Sequence, residues 1–269
     1  MKKLFVILFL TQILFTKAQK KNLDKNSIQT IIGIIDKRDV NCLSDIKRAK
    51  LDFKYKEVLY DIIPEGYLDS DYNRHYPYLI NLLKEKGIDF RESYGLDTFW
   101  SSDGEKRYPL IQNCYCKASN KLLNAKYGQN FIKNIEKTAD SLYVMSRIDI
   151  PFEYPYGLDN YCMIYPKAED FLEQKKQIQK DFFSSFVFPE NFIQDNEKRD
   201  FFAKTKFTIN NDNSISNITV KVEFKNPKNE KFYNLIADQI TAFIKNADWT
   251  SAVSNGIKVN SNFEINFYN

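Results

Sequence analysis

The chain has 269 residues, of which 43% are hydrophobic and 28% charged, with 22 Phe and 17 Tyr. This composition is typical of one large or two modest globular domains. The eight glycines are never closer than eight positions apart, which excludes the glycine-rich phosphate loops of Rossmann and P-loop proteins. The single histidine excludes the HExxH motif of zinc proteases and any one-chain site with two imidazoles.

The amino-terminal residues have the three-part layout of a secretory signal peptide. Two lysines precede an apolar run over residues 4–15, and small or polar residues follow up to Ala18. The run is too short to span a hydrocarbon core of about 30 Å as a helix. We therefore expect residues 1–18 to be removed by cleavage between Ala18 and Gln19. The mature protein is then periplasmic or secreted, without stable membrane insertion.

Charge argues against a nucleic-acid partner. Three of the 39 basic residues lie in the predicted leader, so the mature chain has a net charge of about +1. Affinity for nucleic acid depends on clustered Lys and Arg. The basic clusters at 47–50 and 175–180 have acids beside them, such as Asp45 and Glu173. These clusters are therefore expected to be solvated helix faces.

The four cysteines are disulfide candidates, because an even number is typical of disulfides in an exported protein. They are Cys42, Cys114, Cys116 and Cys162. Cys114 and Cys116 are too close in sequence for the usual unstrained bridge. We expect at least one disulfide that joins this pair to Cys42 or Cys162, with buried thiols as the alternative. A metal site is poorly supported, because a CxC motif lacks a second pair of ligands.

Residues 19–148 are predicted to be mostly helical. Ile28, Ile31, Ile32 and Ile35 recur at helical spacing. Further helices are predicted over 44–62, 117–125 and 130–146, the last with an apolar stripe of five residues: Phe131, Ile135, Ala139, Leu142 and Met145. The segment 149–166 carries three prolines and four tyrosines and is predicted to be an irregular connector.

The last seventy residues change to alternation of apolar and polar side chains. Two alternating segments flank the turn sequence 211–213, and an amphipathic helix follows. The turn sequence Asn255-Gly256 then precedes a third alternating segment, 257–267. This order predicts a three-stranded antiparallel sheet with one packed helix. The whole chain is therefore expected to be of the α+β class, with a mostly helical amino-terminal region before that sheet.

The carboxy-terminal part resembles the TonB C-terminal domain. The segment from Lys204 to Val220 is similar to the first hairpin of that domain, and the helix, Trp249 and the closing strand follow in matching order. Upstream, Tyr165-Pro166 and the apolar residues after it resemble the lead-in helix of secreted Bacteroidetes versions. The resemblance covers residues 165–269 and predicts a domain over 167–269. No long proline-rich spacer precedes it, so the resemblance implies the domain type and not energy transduction.

The resemblance implies a non-enzymatic binding protein of the cell envelope that needs no cofactor. Its partner would be a protein or peptide, such as an outer-membrane protein. In the TonB family, receptor peptides are held beside the last strand. The resemblance therefore implies a binding edge made of the last alternating residues: Ile257, Lys258, Val259, Asn260, Ser261, Asn262, Phe263, Glu264, Ile265, Asn266 and Phe267.

Two alternative functions remain open at the level of sequence. Asp69 and Asp71 have the spacing of a metal-binding DxD motif, and His75 lies four residues on. These groups could serve a metal-assisted hydrolase or transferase, although a DxD motif is also common in ordinary loops and helix caps. An uncleaved leader would instead make the chain an anchored TonB-type transport component.

Overall fold

A computed structural model describes residues 25–55, 58–62, 73–92, 113–159, 162–195 and 199–269. The chain is of the α+β class, as predicted, with six α-helices and ten strands in these residues. It divides into two compact units: the described parts of Met1–Tyr72 with Leu79–Glu136, and Asn73–Tyr78 with Lys137–Asn269. No helix in the described ranges is both long and apolar enough to cross a membrane. The predicted leader, residues 1–18, lies outside them.

The first unit begins with a hairpin where a helix was predicted. β1 (Ser27–Thr30) pairs antiparallel with β2 (Gly33–Asp36). Of the isoleucines that suggested a helix, Ile35 is only 1% exposed, whereas Ile28 is 39% exposed. Gly33 has φ +124°, a conformation that a helix does not contain. The β-branched residues around this glycine favour strand over helix, and this preference outweighs the apolar spacing.

Helices and a parallel strand pair form the rest of the first unit. α1 (Val40–Tyr55) packs against α3 (Cys114–Tyr127), and β3 (Val58–Ile62) pairs parallel with β4 (Ile88–Glu92). The predicted helix over 44–62 is therefore wrong over Val58–Ile62. Its last five residues are rich in Val, Leu, Tyr and Ile and supply the strand β3 instead.

Two helices have residues in both units: α2 (Tyr76–Lys84) and α4 (Phe131–Ser146). The predicted helices over 117–125 and 130–146 are confirmed as α3 and α4. The predicted apolar stripe of α4 is right at Ile135 and Ala139, which are buried, but Leu142 and Met145 are exposed. Val144 is buried in their place, so the core-facing side of the last turn is rotated relative to the prediction.

The second unit contains a four-stranded sheet, where a three-stranded sheet was predicted. Its strand order is β5 (Phe152–Glu153), β10 (Ser261–Tyr268), β6 (Phe201–Ile209) and β7 (Ile215–Phe224). β10, β6 and β7 pair antiparallel, whereas β5 is parallel to β10. The extra strand comes from the segment 149–166, whose prolines and tyrosines gave no strand pattern.

The core of the second unit lies between this sheet and two helices, α5 (Gln174–Ser185) and α6 (Tyr233–Asn246). The apolar residues of β6 and β10 alternate inward, as predicted, and Ile236, Ile240 and Ile244 of α6 are fully buried. The Trp249 ring packs among them, with its centroid 4.9 Å from that of Phe207. Trp249 is therefore a core residue.

The predicted single strand 257–267 is divided into two. Asn255 and Gly256, both at positive φ, turn the chain so that β9 (Ile257–Val259) pairs back on β8 (Ala252–Ser254). At Asn260 the chain passes to β10, and its side-chain oxygen accepts a hydrogen bond from the Asn211 amide at 2.8 Å. The turn draws β9 away from the sheet, so only β10 continues along β6.

Candidate functional site

The predicted binding residues fall on two elements. Ile257, Lys258 and Val259 belong to β9 and pair with β8. The eight residues from Asn260 onward reach the sheet, where β10 lies between β6 and β5. The side of β10 that faces away from β6 is called the outer edge here.

The backbone groups of β10 alternate in direction between β6 and the outer edge. The carbonyl groups of Asn260 and Asn262 accept hydrogen bonds from the amides of Phe152 and Tyr154, so the backbone groups of these two asparagines face the outer edge. The carbonyl group of Asn269 accepts from Arg199 on the β6 side. Because β10 pairs with β6 without interruption, even-numbered residues present their N–H and C=O groups to the outer edge.

β5 covers only the beginning of this outer edge. The Phe152 amide donates to the Asn260 carbonyl at 2.9 Å, and the Tyr154 amide donates to the Asn262 carbonyl at 3.0 Å. The next amide in this alternation, that of Tyr156, donates instead to the Glu153 carbonyl at 2.7 Å and turns the chain. Pairing therefore stops, and within the described structure β10 has no strand partner on its outer side from Glu264 to Tyr268.

The uncovered part is called the open edge: the outward backbone groups of Glu264, Asn266 and Tyr268. Inward-facing Ile265 and Phe267 between them are buried. The side chains of Glu264, Asn266 and Tyr268 are polar or amphipathic. Glu264 forms an ion pair with Lys204 at 3.0 Å. An extended peptide on this edge would meet backbone donors and acceptors on a strand that the core holds in place.

β5 is held firmly by its side chains. Phe152 is buried, and the Arg147 guanidinium carbon lies 4.3 Å from its ring centroid. The Tyr154 hydroxyl donates to the Cys162 carbonyl at 2.8 Å and accepts from Gln174 Nε2 at 2.8 Å. Burial raises the pKa of Tyr154 to about 12. Sequence reasoning missed this strand because two residues are too few for an alternating pattern.

One of the expected disulfides is present. Cys42 of α1 is bonded to Cys114 of α3 across 72 residues, in a buried part of the first unit, and this indicates an oxidising compartment. Cys116 and Cys162, also named as disulfide candidates, are thiols. The Cys116 thiol donates to the Asp61 carbonyl at 2.6 Å. Cys162 accepts from the Val253 amide, and burial raises the pKa of its thiol.

Of the three residues of the metal-assisted alternative, the structure describes His75. Asp69 and Asp71 lie outside the described residues, and the His75 ring packs edge-on against Tyr76 with centroids 5.2 Å apart. Within the described ranges, no three His, Cys, Asp or Glu side chains come together in a way that could hold a metal ion.

Beside His75, Arg74 forms a polar network that the sequence did not indicate. It donates to both carboxylate oxygens of Asp140, at 2.7 and 3.0 Å, and to the Gly157 carbonyl at 2.6 Å. Ser254 Oγ accepts from Arg74 at 3.2 Å and donates to Gly157 at 2.7 Å. Nearby, the Asp159 carboxylate accepts from the amides of the Asn255-Gly256 turn. These contacts fix the hairpin β8–β9 within the second unit.

A shallow cavity of about 440 Å³ lies in the first unit along one face of α1, lined by Ser44, Lys47, Arg48, Leu51, Asp52 and Tyr55. The basic cluster 47–50 is solvated as expected, because Ala49 is buried while the charged residues beside it are exposed. The lining mixes two cations with one carboxylate, so it selects no single ligand charge.

The open edge of β10 is thus the feature of the described structure that best matches a recognised mode of binding. Comparisons of the chain with models of protein families, with curated proteins and with solved structures found no match.

Proposed function

We propose that this chain is a non-enzymatic binding protein whose second unit captures an extended segment of a partner protein along the open edge of β10. The observation that carries the proposal is the incomplete ladder on the outer edge. β5 pairs there only with Ser261 and Asn262, and the Tyr156 amide then turns back to the Glu153 carbonyl. Within the described ranges no strand pairs with the outward backbone groups of Glu264, Asn266 and Tyr268. They can therefore accept an added strand, which is a common way for proteins to bind extended peptides.

The resemblance to TonB C-terminal domains supports this function, because that family holds receptor peptides beside its last strand. The corresponding part here would be β6, β7, α6 and β10, with α5 as the lead-in helix. The apolar leader favours export to the periplasm or beyond, and the Cys42–Cys114 disulfide is consistent with it. The partner would then be an envelope protein, such as one of the outer membrane.

Affinity at such an edge comes mainly from backbone pairing. The inward residues of β10 are buried and belong to the core, so they are not available to a ligand. Glu264 on the outward side is already paired with Lys204. Binding is therefore expected to tolerate variation in the partner's sequence and to depend on the outward amide groups.

The decisive variant is Asn266→Pro, with Asn266→Ala as its matched control. Proline removes the outward N–H of residue 266 and leaves the hydrogen bonds between β10 and β6 in place. Alanine keeps the N–H and removes a side-chain oxygen that accepts no hydrogen bond within the described structure. In pull-downs from native envelope, the parent and Asn266→Ala should retain the same partners, and Asn266→Pro should lose them.

Hydrogen exchange supplies an independent measurement. The amides of Glu264, Asn266 and Tyr268 should gain protection when the partner binds, because an added strand accepts hydrogen bonds from them. Far-UV circular dichroism and a cooperative melt must show that Asn266→Pro is folded. A folded Asn266→Pro variant that keeps every partner of the parent would overturn the proposed function.

A further inference from the structure

β5 blocks one end of the open edge, and this blocked end is called the closed end. A strand added beside Glu264, Asn266 and Tyr268 would meet β5 at its next position, because Tyr154 already pairs with Asn262. β5 is not easily displaced, since Phe152 is buried and the Tyr154 hydroxyl makes two hydrogen bonds. The captured segment must therefore end, or turn away sharply, beside Phe263.

A cation lies at this closed end. Lys175 of α5 is exposed, and its Nζ is 5.6 Å from the ring centroid of Phe263. Two lysines of β6 are paired, Lys204 with Glu264 and Lys206 with Glu153. Among the described residues, no carboxylate lies within ion-pair distance of Lys175. Its charge is available to a ligand at the point where an added strand has to stop.

We propose that the open edge takes the free carboxy-terminal end of a partner protein, with its terminal carboxylate beside Lys175. This inference rests on the proposed function and adds the class of ligand and its direction. A partner chain that ends at this point does not collide with β5. Its terminal carboxylate is attracted by the positive charge of the Lys175 ammonium group. Because the carboxylate lies near Glu264 and the chain extends toward Tyr268, the bound tail runs antiparallel to β10. An amino terminus at the same place would bring two positive charges together.

The test uses the full chain and two synthetic octapeptides of alternating Thr and Val, both acetylated at the amino terminus. One has a free terminal carboxylate and the other a terminal amide. Binding is followed by NMR through the backbone amides of Glu264, Asn266 and Tyr268. We expect the acid to bind up to about fivefold more tightly than the amide, the upper limit for a solvent-exposed ion pair.

Lys175→Gln should abolish the difference between the two peptides and leave the affinity for the amide unchanged. Lys180→Gln is the matched control, because Lys180 is an exposed lysine on the same helix; it should preserve the difference. An equal loss in both variants would indicate a general charge effect and overturn the role of Lys175.

The remaining outcomes separate this inference from the proposed function. If both peptides bind the parent chain equally at the open edge, the assignment of a terminal carboxylate is wrong and edge capture stands. If neither peptide shifts these amides, or a concentration-dependent dimer blocks both, edge capture of a peptide is wrong as well.

Discussion

Arg74 shows how a single side chain can hold together segments that are distant in sequence. Its side chain is only 14% exposed, and its guanidinium group binds Asp140, Gly157 and Ser254. Removing one partner of a largely buried ion pair leaves the other charge without compensation. The network therefore stabilises the second unit more than a surface pair could.

We predict that Arg74→Ala lowers the free energy of unfolding by about 3 kcal/mol. The control is Lys225→Ala, which breaks an exposed ion pair with Asp195 and should cost less than about 1 kcal/mol. Urea denaturation of both variants measures the difference. Equal losses in the two variants would contradict a special role for Arg74.

At the candidate site, sequence reasoning identified the strand and missed its surroundings. The alternation of apolar and polar residues located β10, because a strand that is buried on one face leaves this pattern. Tyr154 and Lys175 left no such signal, since their importance depends on contacts with residues about 90 to 110 positions away, such as Phe263. The DxD motif is easy to find in the sequence, but such a short motif does not predict which other residues lie around it in the fold.

At the scale of elements, the disulfide joins two helices that are far apart in sequence. It links α1 to α3 in a cluster with Ile46, Ala49 and Ala118. Cross-linking residues 72 positions apart restricts the unfolded chain, which stabilises the fold by about 4 kcal/mol in the chain-entropy model.

We predict that replacing both Cys42 and Cys114 by Ala lowers stability by about that amount, 4 kcal/mol. Cys162→Ala, which removes a half-buried thiol outside any disulfide, is the matched control and should cost markedly less. Denaturation with and without reductant measures both effects, and non-reducing peptide mapping checks the bond. A parent chain whose stability does not respond to reductant would contradict the prediction.

The elements of the second unit were easier to predict than those of the first. β6, β7 and α6 are long, and each has one face that is less exposed than the other, so their patterns persist over many residues. β1 and β2 have four residues each, and over such a length the spacing of isoleucines fits a helix or a strand. Sequence reasoning missed the division of 257–267 into two strands, because Asn260 fits the alternation of apolar and polar residues on both sides of it.

At the scale of the whole molecule, both units contain a tyrosine whose neutral form the fold favours. In the first unit, burial and the hydrogen bond from its hydroxyl to Asp52 raise the pKa of Tyr115 to about 12. In the second unit, burial raises the pKa of Tyr154 to about 12. An unfolded chain would deprotonate either group near its ordinary value of 10.0. The stability that depends on the two neutral phenols is therefore complete below pH 10 and declines as the pH rises toward 12.

We predict that the midpoint of urea denaturation falls between about pH 10 and about pH 12 in the parent chain. Tyr115→Phe and Tyr154→Phe should each weaken this decline, because phenylalanine cannot ionise. Tyr156→Phe is the control, since Tyr156 is exposed and its replacement should leave the decline unchanged. The phenolate absorbance, recorded alongside, should lag behind that of free tyrosine until the chain unfolds. Two phenols that ionise near pH 10 in the folded chain would contradict the prediction, because no linkage between their ionisation and unfolding would then exist.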